Sequence, residues 1–245
     1  MPTGRIFSRP ALKITNFLNY LIDWIYPSQC SCCGEEPDLC PFLCKKCYEK
    51  LILFDDTPNS TVYHKDHPAD RVKAMFYFDE ILQKLIHDIK YRDASYVASF
   101  LGQKIGEYYK RSEFAYCDVL LPVPLYSVRK RERTYNQSAC LAKGISKEWG
   151  IPVNERLVKR CRNTKTQTKL NKEERQKNIK DAFRIKNKAI LPEHVCIVDD
   201  VFTTGATTME ISRTLKKAGV NKVSILCLAT PPREGKSTKG KSTKS

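Results

Sequence analysis

No run of this sequence is both long and apolar enough to cross a bilayer. The best N-terminal stretch, Ile14 to Tyr26, is broken by Asn16, Asn19 and Asp23, whereas a spanning helix needs about 20 largely apolar residues. No transmembrane segment is expected. A secretory leader is missing as well, which makes the cytoplasm the expected compartment. Acidic residues are in short supply, 27 against 43 lysines and arginines, leaving a net charge of +16. That balance favours anionic partners such as nucleic acid, phosphates or membrane lipid, without choosing among them. Apolar residues are not scarce. At 41% of 245 residues they supply a sizeable core and exclude wholesale disorder. A genuine P-loop is also lacking. GKST occurs in the tail, but no glycine pattern or strand precedes it and no helix follows.

The charge is unevenly spread. Between Arg129 and Lys188 there are 19 lysines and arginines against 6 acidic residues. Two readings stand for such a run: a solvated surface that keeps the chain soluble, or an anion-binding face. Aromatic side chains that would stack on bases are few there, with Tyr135 and Trp149 as the candidates.

Eleven cysteines would suit a secreted disulfide scaffold only in a much shorter chain. Six of them crowd residues 30–47. The others, Cys117, Cys140, Cys161, Cys196 and Cys227, are scattered, mostly beside apolar residues, as free buried thiols in a reducing compartment would be. Within the cluster, Cys30-Ser-Cys-Cys33 and Cys44-Lys-Lys-Cys47 form two C-x-x-C knuckles. Each brings two sulfurs within reach of one ion, and four thiolates complete a closed tetrahedral zinc site. Cys32 and Cys40 offer alternative ligands, and a redox pair is the competing reading, although a single C-x-x-C would serve for that. His64 and His67 read as exposed loop histidines rather than further ligands.

Periodicity orders the rest. Leu12, Ile14, Phe17, Leu18, Leu21, Ile22 and Ile25 share one helical face that docks on the body of the protein, and Pro27 stops the helix. Residues 57–70 read as a loop and RVKAMFYFD as a strand. A helix follows with Ile81, Leu82, Leu85, Ile86 and Ile89 on one side, then a second over about 94–110. DVLLPVPL (118–125) reads as a buried strand leaving its sheet. A helix spans Gln137 to Trp149, and IPV is a short strand. Residues 159–180 form a long polar excursion. VCIVDD is a strand, 206–218 a helix closed by Gly219, and KVSILCLA a strand. Strands alternating with helices predict an α/β fold with a mostly parallel sheet covered on both faces. PPREGKSTKGKSTKS repeats KSTK and reads as a disordered basic tail.

The stretch VCIVDDVFTTGATT carries the most chemistry. Ligands of open parallel sheets bind beyond the carboxyl ends of the strands, and Val195–Val198 would deliver Asp199 and Asp200 there. Two acceptor-only carboxylates suit a diol, such as the hydroxyls of a ribose, or a magnesium ion near it. Thr203, Thr204, Gly205, Ala206 and Thr207 then enter a helix whose N-terminal amides favour an anion. The mixture fits a sugar phosphate.

This segment resembles the phosphoribosyl pyrophosphate (PRPP) motif of type I phosphoribosyltransferases. With CSCCG, LCKKCYEKL, LIHDIKYRDA, LLPVPL, RERTYNQS and QTKLNKEERQKNIKDAF in order over about 25–230, the chain is identified as a member of the ComF family of competence proteins. There a four-cysteine zinc module precedes a phosphoribosyltransferase-like domain. The resemblance implies four parts: an N-terminal amphipathic helix segment (1–29), a zinc-binding module (30–56), a phosphoribosyltransferase-like domain (71–230) and the basic tail (231–245). It implies zinc on Cys30, Cys33, Cys44 and Cys47, and PRPP with magnesium as ligand. Asp199 and Asp200 would hold the ribose hydroxyls and Thr203–Thr207 the 5′-phosphate.

Catalytic roles would fall to Arg131 and Arg133 in the pyrophosphate loop, beside Arg129 and Lys130, with a flap over Thr166–Asn178 closing the site. Single-stranded DNA would lie on Lys159, Arg160, Arg162, Lys165, Lys169 and Arg175, and DNA-uptake helicase or translocase proteins are the implied partners. Two departures from the pattern stand out. Arg133-Thr134-Tyr135-Asn136-Gln137 replaces the usual RGFNQ, and Thr203 stands where purine-salvage relatives carry an aspartate base. The functions in view are DNA uptake, a transferase in nucleotide or amine metabolism, and a PRPP-sensing regulator.

Overall fold

The computed structural model describes residues 29–54, 67–91, 94–126, 135–162, 179–186 and 191–232. The predicted N-terminal helix, the flap and most of the tail lie outside them. Four strands, β1 (Arg71–Tyr77), β2 (Val119–Pro122), β5 (His194–Val201) and β6 (Lys222–Thr230), form one sheet in the order β1-β6-β5-β2. Every pairing in it is parallel, as the alternation of strands and helices predicts. Neither outer strand is bare. Phe54 N–H donates to Met75 O (2.8 Å) and Tyr77 N–H to Ile52 O (2.8 Å) along β1, while Leu120 N–H donates to Pro152 O (2.9 Å) along β2. These contacts cover part of each edge. The IPV segment contributes an isolated bridge, Val153 to Leu120, to that second edge.

Period-2 alternation along the strands sorts the core into two layers. Leu120, Cys196, Val198, Leu226 and Leu228 face one side. Val119, Leu121, Val195, Ile197, Val223, Ile225 and Cys227 face the other. The first side packs against α2 (Glu80–Tyr91), α3 (Ser95–Tyr109), α4 (Gln137–Trp149) and the cysteine module with its short helix α1 (Lys45–Glu49). The second packs against α5 (Ala206–Lys217) and an antiparallel ribbon, β3 (Val158–Arg160) with β4 (Phe183–Ile185). Both predicted helices after β1 are present, as is the strand that carries Asp199 and Asp200. The ribbon is a surprise. Three-residue strands inside a basic stretch leave no readable alternation, so sequence periodicity misses them.

Helices α3 and α4 meet through glycine. A Cβ at Gly102 would sit 2.2 Å from Leu141 O, and one at Gly144 2.2 Å from Ser99 O. Backbones that close leave no room for even one methyl group, and overpacking of this kind costs about 1–3 kcal/mol or more. Helix α5 ends with Gly219 at φ 105 and Val220 N–H donating back to Leu215 O at 3.1 Å, the expected glycine termination. No helix among the described residues is long and apolar enough to cross a membrane.

Candidate functional site

The sulfurs of Cys30, Cys33, Cys44 and Cys47 lie within 4.8 Å of one another. Cys33 Sγ and Cys44 Sγ are 3.7 Å apart. A tetrahedron with metal–sulfur bonds of about 2.3 Å has edges of about 3.8 Å, so the cluster fits a four-thiolate metal site. The backbone prepares it. Gly34 N–H donates to Cys30 O at 2.8 Å and Cys44 N–H points to Cys30 Sγ at 3.4 Å. Burial raises the Cys30 thiol, but backbone N–H groups of Cys33 and Cys44 outweigh it and bring it down to about 6. Cys32 and Cys40 do not join this mutually close group of four: Cys32 Sγ lies beside Cys30 and Cys47 but is directed at Ile81 O, 3.9 Å away. Leu43, Cys44, Cys47 and Leu51 are buried in the same core as α2 and α3.

At the carboxyl end of β5, Asp199 and Asp200 each collect partners from helices on one side of the sheet. Ser138 Oγ, in the first turn of α4, donates to Asp199 Oδ1 at 3.1 Å. Lys90 Nζ, in the last turn of α2, lies 2.8 Å from Asp200 Oδ2, with these side chains 25% and 20% exposed. The backbone N–H of Asp200 also donates to Asp199 Oδ1 (2.9 Å), and that of Val201 to Asp200 Oδ1 (2.8 Å). The pair is electrically split. Burial, followed by the Asp200 charge, pushes the Asp199 carboxyl up to about 8. Burial acts upward on Asp200 too, but the Lys90 ammonium and the Val201 N–H overcome it and hold that carboxyl below its ordinary value. The two carboxyls therefore differ in proton affinity, Asp200 being the more acidic.

The hydroxyl-bearing turn follows directly. Thr203 is exposed, Thr204 and Thr207 are half-buried, and Gly205 and Ala206 are buried. Gly205 has φ 69, left-handed backbone that glycine adopts without strain. A Cβ there would meet Phe202 Cζ at 2.5 Å. Helix α5 begins at Ala206, so its free amides and macrodipole face the turn. Ala206 N–H is aimed at Thr204 Oγ1 (3.4 Å), and Thr208 Oγ1 donates to Gly205 O (3.0 Å). Asp199, Asp200 and Thr203–Thr207 thus form one continuous rim of acceptors and donors.

Of the other named residues, Arg129, Lys130, Arg131, Arg133, Lys165, Lys169 and Arg175 lie outside the described residues. Lys159 and Arg162 are exposed on the β3–β4 ribbon, and the Arg160 guanidinium stands 5.6 Å over the Phe183 ring. Tyr135 and Trp149 are held inward. The Tyr135 hydroxyl donates to Ile89 O, and Trp149 Nε1 donates to Gly106 O at 2.8 Å. The exposed-histidine expectation fails for His67, which is 8% exposed and packs against Phe202; His64 lies outside the described residues. Sequence reasoning missed Lys90 and Ser138. Both stand in segments whose resemblance is noted above, LIHDIKYRDA and RERTYNQS, and Asn136 places Ser138 by accepting its N–H (3.2 Å) as the cap of α4.

No family model matches the sequence. The chain is 30% identical over 207 residues to competence protein F of Haemophilus influenzae, covering 82% of this chain and 89% of that one. The chain belongs to the competence protein F family. It is also 30% identical to the DNA utilization protein YhgH of Escherichia coli K12, over 81% of this chain and 88% of that protein. With competence protein ComFC of Bacillus subtilis the identity is 26%, over 60% and 58%. Among solved structures, a purine phosphoribosyltransferase from Pyrococcus horikoshii is 21% identical over 56% of this chain and 74% of that one, with a TM-score of 0.33. In this member of the family the cysteine cluster and the carboxylate rim occupy opposite ends of one α/β core layer: the cluster rests on α2 and α3, and the rim collects Lys90 and Ser138 from α2 and α4.

Proposed function

We propose that the rim at the end of β5 binds PRPP with magnesium, and that the protein acts in the cytoplasm in DNA uptake for natural transformation. One observation carries this reading: a carboxylate pair and a glycine-opened helix N-terminus lie side by side at the carboxyl edge of a parallel sheet. Asp199 and Asp200 face the ribose hydroxyls as acceptors, and the amides and hydroxyls of Thr203–Thr207 receive the 5′-phosphate. The same two carboxylates are the residues that would hold magnesium, whose charge offsets that of the pyrophosphate. Lys90, already on Asp200, adds a cation at the anionic end. Arg131 and Arg133 are assigned to the pyrophosphate on resemblance. Zinc is the metal assigned to Cys30, Cys33, Cys44 and Cys47, on the strength of their four-sulfur geometry.

Single-stranded DNA is assigned to the basic face. Its support is the β3–β4 ribbon, where exposed Lys159 sits directly opposite exposed Arg184. Like charges directly across a ribbon are unfavourable unless an anion lies over them. Among the described residues neither has an ion-pair partner. Arg162 and Lys180 extend the stripe, and Lys165, Lys169 and Arg175 continue it in sequence. DNA-uptake helicase or translocase proteins are the partners this role requires.

A second reading, an active phosphoribosyltransferase, is favoured by the unbroken segment Asp199–Thr207 at a strand–turn–helix junction. Calorimetry with magnesium and PRPP, with and without a single-stranded oligonucleotide, tests the main reading. Tight PRPP binding that changes on adding DNA supports it; absence of PRPP binding removes it. Pyrophosphate release across a panel of bases and amines decides for the transferase.

A further inference from the structure

We propose that His67 is a positioning residue for the phosphate-facing turn, holding Phe202 beneath Gly205 so that the amides of 203–207 stay aimed at an anion; this rests on the PRPP reading. The contacts run in series. The His67 ring lies 6.0 Å from the Phe202 ring, tilted by 44°, and both side chains are buried. The Phe202 ring in turn fills the space where a Gly205 side chain would be, its Cζ 2.5 Å from that point. The Phe202 backbone is fixed independently, its N–H donating to Ala229 O at 2.8 Å and its carbonyl accepting from Thr230 Oγ1 at 3.2 Å. Strand β6 therefore sets where the turn starts, while His67 sets where the ring beneath it points.

The imidazole is built for this as a neutral ring. Ala69 N–H donates to Nδ1 at 3.0 Å, which leaves the proton on Nε2. The ring also lies close enough to the Gly205 backbone to feel its dipole. Burial, then the charge of Arg213 on α5, lowers its proton affinity to about 4 against that influence. Arg213 is itself within 3.8 Å of Glu210. A segment far away in sequence, at the entry to β1, thereby reaches the turn that follows β5 through the Phe202 ring. Nothing in the motif itself supplies that contact.

The test compares His67→Asn with His67→Gln in the full chain. Asparagine keeps an acceptor for Ala69 N–H but withdraws from the Phe202 ring, whereas glutamine keeps a side chain of about the imidazole's length against it. Two readouts are taken: hydrogen exchange of the 203–207 amides without ligand, and calorimetry with magnesium and PRPP. For His67→Asn we expect exchange about tenfold faster and binding about tenfold weaker, with circular dichroism and metal content unchanged; His67→Gln should stay within about threefold of the parent chain. If His67→Asn does not fold, Phe202→Leu replaces it with the same expectation. Unchanged exchange in the asparagine variant, or equal loss in both variants, overturns the positioning role. If the parent chain takes up no PRPP but exchange in the asparagine variant still accelerates, the PRPP reading falls and the mechanical role of His67 stands.

Discussion

The cysteine module and the β5 rim solve opposite problems. In the module, four ligand atoms from two short knuckles close in sequence converge on each other within 4.8 Å. The rim gathers two like charges and a left-handed turn at a sheet edge, and draws its support from Lys90, Ser138 and His67, far apart in sequence. A metal on the first arrangement would add folding energy. The second sets two neighbouring carboxyls with opposite shifts in proton affinity at a strand end. Where a cluster is satisfied by its own members, a structural role is the natural reading; where it must be held open by distant residues, a ligand is.

The sharpest way to break the contrast is to remove a knuckle. If the cluster holds zinc as proposed, Cys44→Ser, or a strong chelator, should prevent folding or lower the thermal midpoint by more than about 10 °C, because a structural metal contributes folding energy. Circular dichroism with metal analysis checks this, and an unchanged midpoint would refute the structural role. Gly205→Ala comes next. The added methyl meets the Phe202 ring at 2.5 Å on a φ of 69, so stability should fall by about 1–3 kcal/mol and PRPP binding by at least about a hundredfold. Denaturant titration and calorimetry measure the two effects.

Asp199→Asn should show the reverse sign in stability. A carboxyl raised to about 8 favours the folded state at low pH, and that contribution is lost as pH rises from the ordinary carboxylate range through about 8. The asparagine variant should therefore be close to the parent near pH 4 and progressively more stable than it as the pH rises to about 9, while losing PRPP affinity. His67 gives the opposite acid limb. Its proton affinity falls to about 4 in the fold, so its contribution is complete above about pH 6.5 and is lost as pH drops from there to about 4. His67→Gln should flatten that part of the stability profile. The smallest effect belongs to the ribbon. Lys159→Gln or Arg184→Gln should each weaken single-stranded DNA binding about two- to fivefold and lower the salt slope by somewhat less than one, with PRPP binding untouched.

Features encoded within short stretches are the ones legible in the sequence. Val195–Val198 reads as a buried strand because nothing polar interrupts it, and the helix at Glu80–Tyr91 reads from its single apolar face. The knuckles read from spacing alone. The ribbon does not, since Val158–Arg160 and Phe183–Ile185 are too short for any period and pair across a long intervening stretch. The support of the rim was equally hidden. Lys90 looks like one more cation in a basic chain, and Ser138 like one more helix-start serine, until the topology brings α2 and α4 to the same side of β5. His67 was misread because its neighbours are polar, while its burial depends on Phe202, more than a hundred residues later.

The most direct measurement is a crystal structure of the full chain with magnesium and PRPP. The account predicts the 5′-phosphate on the amides of 203–207, the ribose hydroxyls against Asp199 and Asp200, and the pyrophosphate on the Lys90 side. A ligand bound elsewhere, or a rim closed by the protein's own side chains with PRPP excluded, would contradict it.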